Sequence, residues 1–310
     1  MRLGFLTACL PGTPLAEVVP WAAAQGYRAL EVAAWPDRPG RDWEASHLDV
    51  ESFGDADSRR VSELFAEHGL TLSAVAYYEN NLHADAATRQ AAHQHLRACV
   101  DAAQKLGCGL VGTFVGRDVT RTVDDNLRLA EEVLPPLVRY AADRGVRLVV
   151  ENCPMEGWHP DGYPANLAYS PQLWDWMAEL GLYLNFDPSH LVWLGIDPAA
   201  VAATYAERIL HVQAKDVEID PARRDRFGVF GNAVRRDRNP WESGWWRYRI
   251  PGLGQVDWTA LVTTLSAAGY DGVVSVEHED PVWSGSADKV RQGLVLAREI
   301  LDPLIRNAGA

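Results

Sequence analysis

Hydrophobic and polar positions alternate along this chain on two periods. Short apolar runs rich in β-branched residues read as strands: "RLGFLT", "ALEVAAW", "LTLSAVAYY", "GLVGTFVG", "RLVVEN", "LYLNFD", "ILHVQAKD" and "GVVSVEHE". Between them lie segments of helical period. In "DSRRVSELFAEHG", Val61, Leu64 and Phe65 share one face, Asp57 or Ser58 is the expected cap and Gly69 the stop. A second helix is expected from Asp124 to Arg144, ending at Gly145. "AAQGY" and "AAGYDG" repeat the same exit, a glycine at a helix end just before a strand. Strand and helix alternating eight times predict parallel strands with crossover helices. Eight such units in 310 residues predict a (β/α)8 TIM barrel spanning 1–310 as a single domain. A doubly wound open sheet is the runner-up. No linker or low-complexity tract divides the chain.

The segment from Val217 to Val256, after the seventh strand, fits neither period. A long loop in a compact domain is functional or disordered. This one holds "NPWESGWWRYRIPGLG", and its aromatics argue for order. It also carries Arg223, Arg224, Arg226, Arg235, Arg236, Arg238, Arg247 and Arg249. The first six fit a solvated or subunit-contact loop. Arg247 and Arg249, set among aromatics, are the candidates for facing a site.

The strand ends carry the chemistry. In "ILHVQAKD", His211, Gln213 and Lys215 share one face, because strand side chains alternate. The fifth strand ends in Glu151, the sixth in Asp187 followed by His190, the eighth in Glu277. An isolated charge at the end of an apolar run is costly to bury, and a lone one reads as a cap or surface residue. Four on successive barrel strands converge at the C-terminal mouth, where barrel enzymes work, and a divalent cation would neutralise the cluster. Oxygen donors without thiolate favour Mn2+ or Mg2+, with Co2+ or Zn2+ as alternatives. "GCGLVG", Gly107 to Gly112, matches a dinucleotide fingerprint letter for letter, but it ends a helix and enters a strand. The fingerprint requires the reverse order, so no NAD binding is expected.

Bulk properties narrow the partners. A net charge of −13 argues against phosphate backbones. The N-terminal "MRLGFLTACLPG" is broken too early for a signal peptide. No apolar run is long enough to span a membrane. Cys9, Cys99, Cys108 and Cys153 form no CxxC pair, which fits a reduced cytoplasmic protein.

"VENCPMEGW", "NFDPSHLVWLGID", "HVQAKD", "WWRYRIPGLGQVDW" and "VSVEHEDP" resemble the sugar phosphate isomerase/epimerase family of xylose isomerase-like TIM barrels, the AP endonuclease 2 superfamily. The resemblance covers nearly the whole chain. It implies one metal held by Glu151, Asp187, Gln213 and Glu277. Gln213 stands where many relatives have His, and an amide oxygen suits Mn2+ or Mg2+. His211 lies deeper on the same face. The resemblance implies an isomerase or epimerase of a ketose or related keto-sugar, with Glu151 and Glu277 passing a proton through an enediolate. His190 would contact a substrate oxygen, with Glu156, Lys215, Arg249 and His83 as further substrate-binding candidates. Trp158 and Trp193 would wall the sugar. A lyase or dehydratase acting on a keto-glycoside, keto-sugar or keto-cyclitol shares the first step and is the alternative. An apurinic endonuclease is disfavoured, because the fourth strand ends "GTFVGRD" without His and no Asp-x-His follows the seventh. The expected partner is a small carbohydrate, with no nucleic acid and no membrane. A homodimer or homotetramer is open.

Overall fold

A computed structural model describes residues 1–36, 45–231 and 244–308 of the chain. Strands β1 (Arg2–Leu6), β2 (Ala29–Ala33), β3 (Thr71–Ala76), β4 (Leu110–Thr113), β5 (Arg147–Glu151), β6 (Tyr183–Phe186) and β7 (Ile209–Ala214) follow one another around a ring. β8 (Asp216–Ile219) and β9 (Trp246–Arg249) form a separate two-stranded sheet, and β10 (Val273–Val276) closes the barrel between β7 and β1. Every barrel pairing is parallel. Each of the eight expected runs supplies one barrel strand.

The helices are α1 (Leu15–Ala24), α2 (Asp55–Glu67), α3 (Ala86–Lys105), α4 (Val123–Ala142), α5 (Pro171–Glu179), α6 (Pro188–Trp193), α7 (Pro198–Tyr205), α8 (Pro221–Phe227), α9 (Trp258–Ala267) and α10 (Ala287–Ala308). α2 starts earlier than its apolar period suggests. Gly54 is its cap, and Asp57, in the first turn, reaches back to accept from the Gly54 N–H at 3.0 Å. α4 is capped by the Thr122 side chain and stops three residues before Gly145, whose φ of +70° turns the chain into β5. Among the described residues no helix is long and apolar enough to cross a membrane.

The two outer glycines of "GCGLVG" have local uses. Gly107, at φ +65°, follows the end of α3. Gly112 lies in β4, where a methyl group would overlap the Tyr78 hydroxyl. The segment thus leaves a helix and enters a strand.

The stretch after β7 is more regular than its letters suggest. β8 and β9 pair antiparallel, Asp216 opposite Arg249 and Val217 opposite Tyr248. This hairpin has its own small apolar cluster of Val217, Trp245, Trp246 and Tyr248, with Trp193 packed against it. Trp193 and Trp246 stack with centroids 5.0 Å apart. Arg223, Arg224 and Arg226 lie exposed on α8; Arg235, Arg236 and Arg238 lie outside the described residues.

The return to the barrel is tied by the buried carboxylate of Asp216. It accepts from the backbone N–H groups of Val217, Gly252 and Val256 at 2.8, 2.8 and 2.9 Å, and from the Trp258 indole at 3.0 Å. Gly252 takes φ +88°, and a methyl at Gly254 would overlap the carboxylate, which accounts for "IPGLG". Asp216→Ala strands these donors in a buried place. It is expected to cost about 3 kcal/mol and lower the melting temperature by several degrees, as scanning calorimetry would measure.

Candidate metal centre

The carboxylates at the strand ends meet at the C-terminal mouth. Glu151 ends β5 and Asp187 follows β6 directly. Asn152 locks the two strands together: its amide donates to the Asp187 carbonyl at 2.8 Å, and its Oδ1 accepts from the Asp187 N–H at 2.7 Å. Asp187 caps α6 by accepting from the Ser189 N–H at 2.8 Å, and Pro188 fits the first helical position. One turn on, His190 folds back over its cap. Its Nε2 lies 3.1 Å from Glu151 Oε1 and 3.2 Å from Asp187 Oδ2, and its Nδ1 lies 2.9 Å from the Tyr248 hydroxyl on the hairpin. The motif "DPSH" is thus a capped helix start that sets a carboxylate and an imidazole side by side.

Lys215 completes the cluster. Its Nζ lies 2.8 Å from Glu277 Oε2, 3.1 Å from Glu279 Oε2 and 3.2 Å from Asp187 Oδ2, and 4.5 Å from the Tyr248 ring centroid. Four carboxylates therefore face two cations. Burial pushes the Glu277 carboxyl well above its ordinary range. Lys215 opposes this, and Glu151, Glu279 and Asp187 add to it. Glu151 is raised by burial against the hydrogen bond from His190 and the charge of Lys215. Burial opposes ionisation of Asp187 too, but Lys215 and His190 outweigh it and hold its carboxyl well below the usual carboxylate range. The acid excess falls on Glu151 and Glu277, the two that a further cation would keep ionised.

The donors suit such a cation. Glu151, Asp187 and Glu277 each offer an oxygen within 4.8 Å of the others. Gln213 lies on β7, next to β6 and β10; its Nε2 donates to Glu31 and Tyr78, while its Oε1 is buried without a partner. A second grouping of Glu151, Cys153 and His190 is equally close. Burial pushes the Cys153 thiol up to about 12, however, so it offers a neutral sulfur rather than a thiolate. His211 lies beneath, bonded to Asn185 Oδ1 at 2.9 Å and Ser73 Oγ at 3.0 Å, and burial pushes its pKa down to about 3.

The remaining candidates separate. Glu156 sits on a 3-10 turn after Met155, whose φ is +49°. Burial raises its half-buried carboxyl, against the charges of His190 and Lys215. Arg249 is committed to Asp280 at 2.9 Å and to Glu218. Arg247 also pairs with Glu218. Both arginines thus brace the hairpin. His83 lies in the loop before α3, accepting from the Asp85 N–H at 3.1 Å. Trp158 packs edge-on against Phe114. Two residues of the centre gave no usable reading in sequence. Glu31 is a lone acid inside the apolar run "ALEVAAW", the same signal the late strands carry. Tyr248 reaches His190 only because β9 folds over the mouth.

The family profile for the xylose isomerase-like TIM barrel matches residues 19–300, and the chain belongs to that family. The chain is 27% identical over 318 residues to the uncharacterized protein YfiH of Bacillus subtilis, covering 93% of this chain and 95% of that one. It is 27% identical over 162 residues to an inosose dehydratase of Clostridium perfringens, a match spanning 51% of this chain and about half, 49%, of that protein. In three dimensions it resembles the D-psicose 3-epimerase of Clostridium cellulolyticum H10, with a TM-score of 0.67 at 15% identity over 98% and 99% of the two chains; that likeness concerns the fold.

Proposed function

We propose that the chain, one barrel domain over 1–310, is a divalent-metal-dependent isomerase or epimerase of a ketose or related keto-sugar. The observation that carries this reading is the meeting of Glu151 and Glu277, from β5 and β10, with Asp187 between them. Glu151, Asp187, Glu277 and the unpartnered Gln213 Oε1 would hold the ion, Mn2+ or Mg2+ by their oxygen character. When bound, the ion would polarise a substrate carbonyl and acidify the adjoining carbon.

The chain's own groups do the rest. One of the two glutamates takes the proton from the carbon beside the carbonyl, and the other returns one. Return to the same carbon from the opposite face gives an epimer, and return to the neighbouring carbon gives an aldose–ketose isomer. His190 and Lys215 would donate to substrate oxygens. Burial disfavours both charges. Glu277, Glu279, Asp187 and Glu151 nevertheless raise Lys215 well above its ordinary value, and Asp187 supports protonated His190. Cys153, neutral at ordinary pH, supplies no such support. Tyr248 lies against both donors, its ring 4.5 Å from Lys215 Nζ and 5.3 Å from the His190 ring, and packs on Trp246, which stacks on Trp193.

Tyr248→Phe removes the hydroxyl partner of His190 and leaves the proposed ligands in place. It is expected to lower turnover by about 3–10-fold, the worth of one hydrogen bond, with unchanged metal content. Steady-state kinetics beside elemental analysis would check this.

A dehydratase is the second reading, favoured by the Lys215–Glu277 contact at 2.8 Å. After a glutamate takes the proton beside the carbonyl, the electron pair would form a carbon–carbon double bond as the β C–O bond breaks. Lys215 would protonate the departing hydroxyl to water. The similarity to an inosose dehydratase supports this reading as well. Product analysis after incubation with ketoses, keto-glycosides and inososes separates the two. An epimer or isomer supports the first; an unsaturated ketone with loss of water replaces it with the second.

A further inference from the structure

Beneath the carboxylate cluster lies a second acid with a different set of partners. Glu31, on β2, is completely buried and forms no ion pair with lysine or arginine among the described residues. It is instead the end point of a chain of hydrogen bonds crossing the barrel interior. Asn185 Nδ2 donates to the Tyr78 oxygen at 2.5 Å, which leaves its Oδ1 to accept from His211 Nδ1 at 2.9 Å. His211 Nε2 then accepts from Ser73 Oγ at 3.0 Å. Tyr78 donates its proton to Glu31, and Ser275 Oγ donates to Glu31 at 2.9 Å. Gln213 Nε2 donates to both Glu31 oxygens, at 3.2 and 3.4 Å, and to the Tyr78 oxygen at 3.2 Å.

The direction of these bonds carries the consequence. Burial pushes the Glu31 carboxyl up to about 7, while the hydrogen bonds from Tyr78, Ser275 and Gln213 favour its ionised form. An ionised carboxylate only accepts, so the groups facing it present N–H or O–H. A glutamine amide has a donor end and an acceptor end, and either can point in a given direction. Facing Glu31, Gln213 has one choice: the NH2 goes to the acid and the carbonyl oxygen goes the other way. That oxygen is buried and has no hydrogen-bond partner, a costly state for a buried acceptor unless something binds it.

We propose that Glu31 is the positioning residue of the metal centre, holding Gln213 with its carbonyl oxygen toward the ion. This rests on the metal-centre reading above. Glu31 itself touches neither ion nor substrate; it acts through the amide. Glu31→Gln is the informative change, since it keeps the volume while replacing one of the two oxygens, those that accept from Tyr78 and from Ser275, with an NH2. Whichever oxygen it replaces, the new NH2 meets the Gln213 NH2, which lies 3.2 and 3.4 Å from the two oxygens, and turning the Gln213 amide over relieves this donor–donor contact by offering its carbonyl. The oxygen is then spent on residue 31 and lost to the ion.

The test is Mn2+ affinity by isothermal titration calorimetry and electron paramagnetic resonance, with Mn2+ alone as the probe. It compares wild type, Glu31→Gln, Gln213→Ala and the double variant, with thermal melting alongside. Groups that orient a ligand are worth about 10–100-fold in metal affinity, and that loss is expected for Glu31→Gln in the wild-type background. In the Gln213→Ala background the same change is expected to do nothing further, within about twofold, since the amide through which Glu31 acts is gone. An unchanged Kd for Glu31→Gln, or an equal loss in both backgrounds, overturns the proposal while leaving the centre intact. A wild type that binds no Mn2+ removes the centre and this assignment together. Should Glu31→Gln not fold, a crystal structure of the Mn2+-loaded wild type decides. Gln213 Oε1 on the ion with Nε2 still on Glu31 supports the proposal; Gln213 outside the coordination sphere, or parted from Glu31, overturns it.

Discussion

Glu151→Gln is expected to reduce turnover by about 1,000-fold or more, the largest effect of any single change in this protein. A correctly placed general base contributes about 100–10,000-fold, and Glu151 is read both as such a base and as a ligand. The amide keeps the volume and can still accept from His190, which lies 3.1 Å away, so the fold should be retained. It cannot take up a proton. The two roles separate in one assay, in which activity is followed as Mn2+ is raised until the site is saturated. Activity that stays low at saturation fits the loss of a base. Activity restored by excess Mn2+ would show that Glu151 only holds the ion.

Asp187→Asn is expected to weaken Mn2+ binding by more than about 100-fold, beyond what orienting groups are worth, while leaving the fold nearly intact. Asparagine caps a helix as well as aspartate does, so the bond from the Ser189 N–H and the start of α6 should survive. What is lost is the charge that Lys215 and His190 hold ionised against burial. Metal analysis of the purified variant together with its melting temperature is the check. Wild-type metal content would remove Asp187 from the ligand set. A large fall in melting temperature would mean that its main service is structural.

The barrel was legible because each strand carries its own local signal, and so do the helices between. The polar strand ends were legible for the same reason: Glu151, Asp187, Gln213 and Glu277 each interrupt or end an apolar run, and a barrel brings successive strand ends together. The β8–β9 hairpin was not legible. Its pairing joins segments far apart in sequence, and "WRYR" does not announce that Tyr248 will reach His190. The arginines show the limit of composition. Arg249 sits among aromatics as a sugar-binding residue would, yet its guanidinium is held by Asp280 and Glu218, because a hairpin folded over acids needs cations of its own. Glu31 broke the apolar pattern of its strand as visibly as the late acids did. Its meaning depended on which way an amide on the facing wall turns, and only the folded barrel sets that.

The central claim is proton abstraction next to a keto-sugar carbonyl, dependent on a divalent ion and on Glu151. The direct measurement is solvent-deuterium exchange. Wild-type protein loaded with Mn2+ is incubated in D2O with ketoses, keto-glycosides and inososes, and the substrate and product carbons are read by NMR. Deuterium is predicted at the carbon beside the carbonyl of at least one panel member, lost when Mn2+ is chelated and lost again in Glu151→Gln. Mn2+-loaded protein that exchanges no α-proton of any panel member, or exchange that persists unchanged in Glu151→Gln, would contradict it.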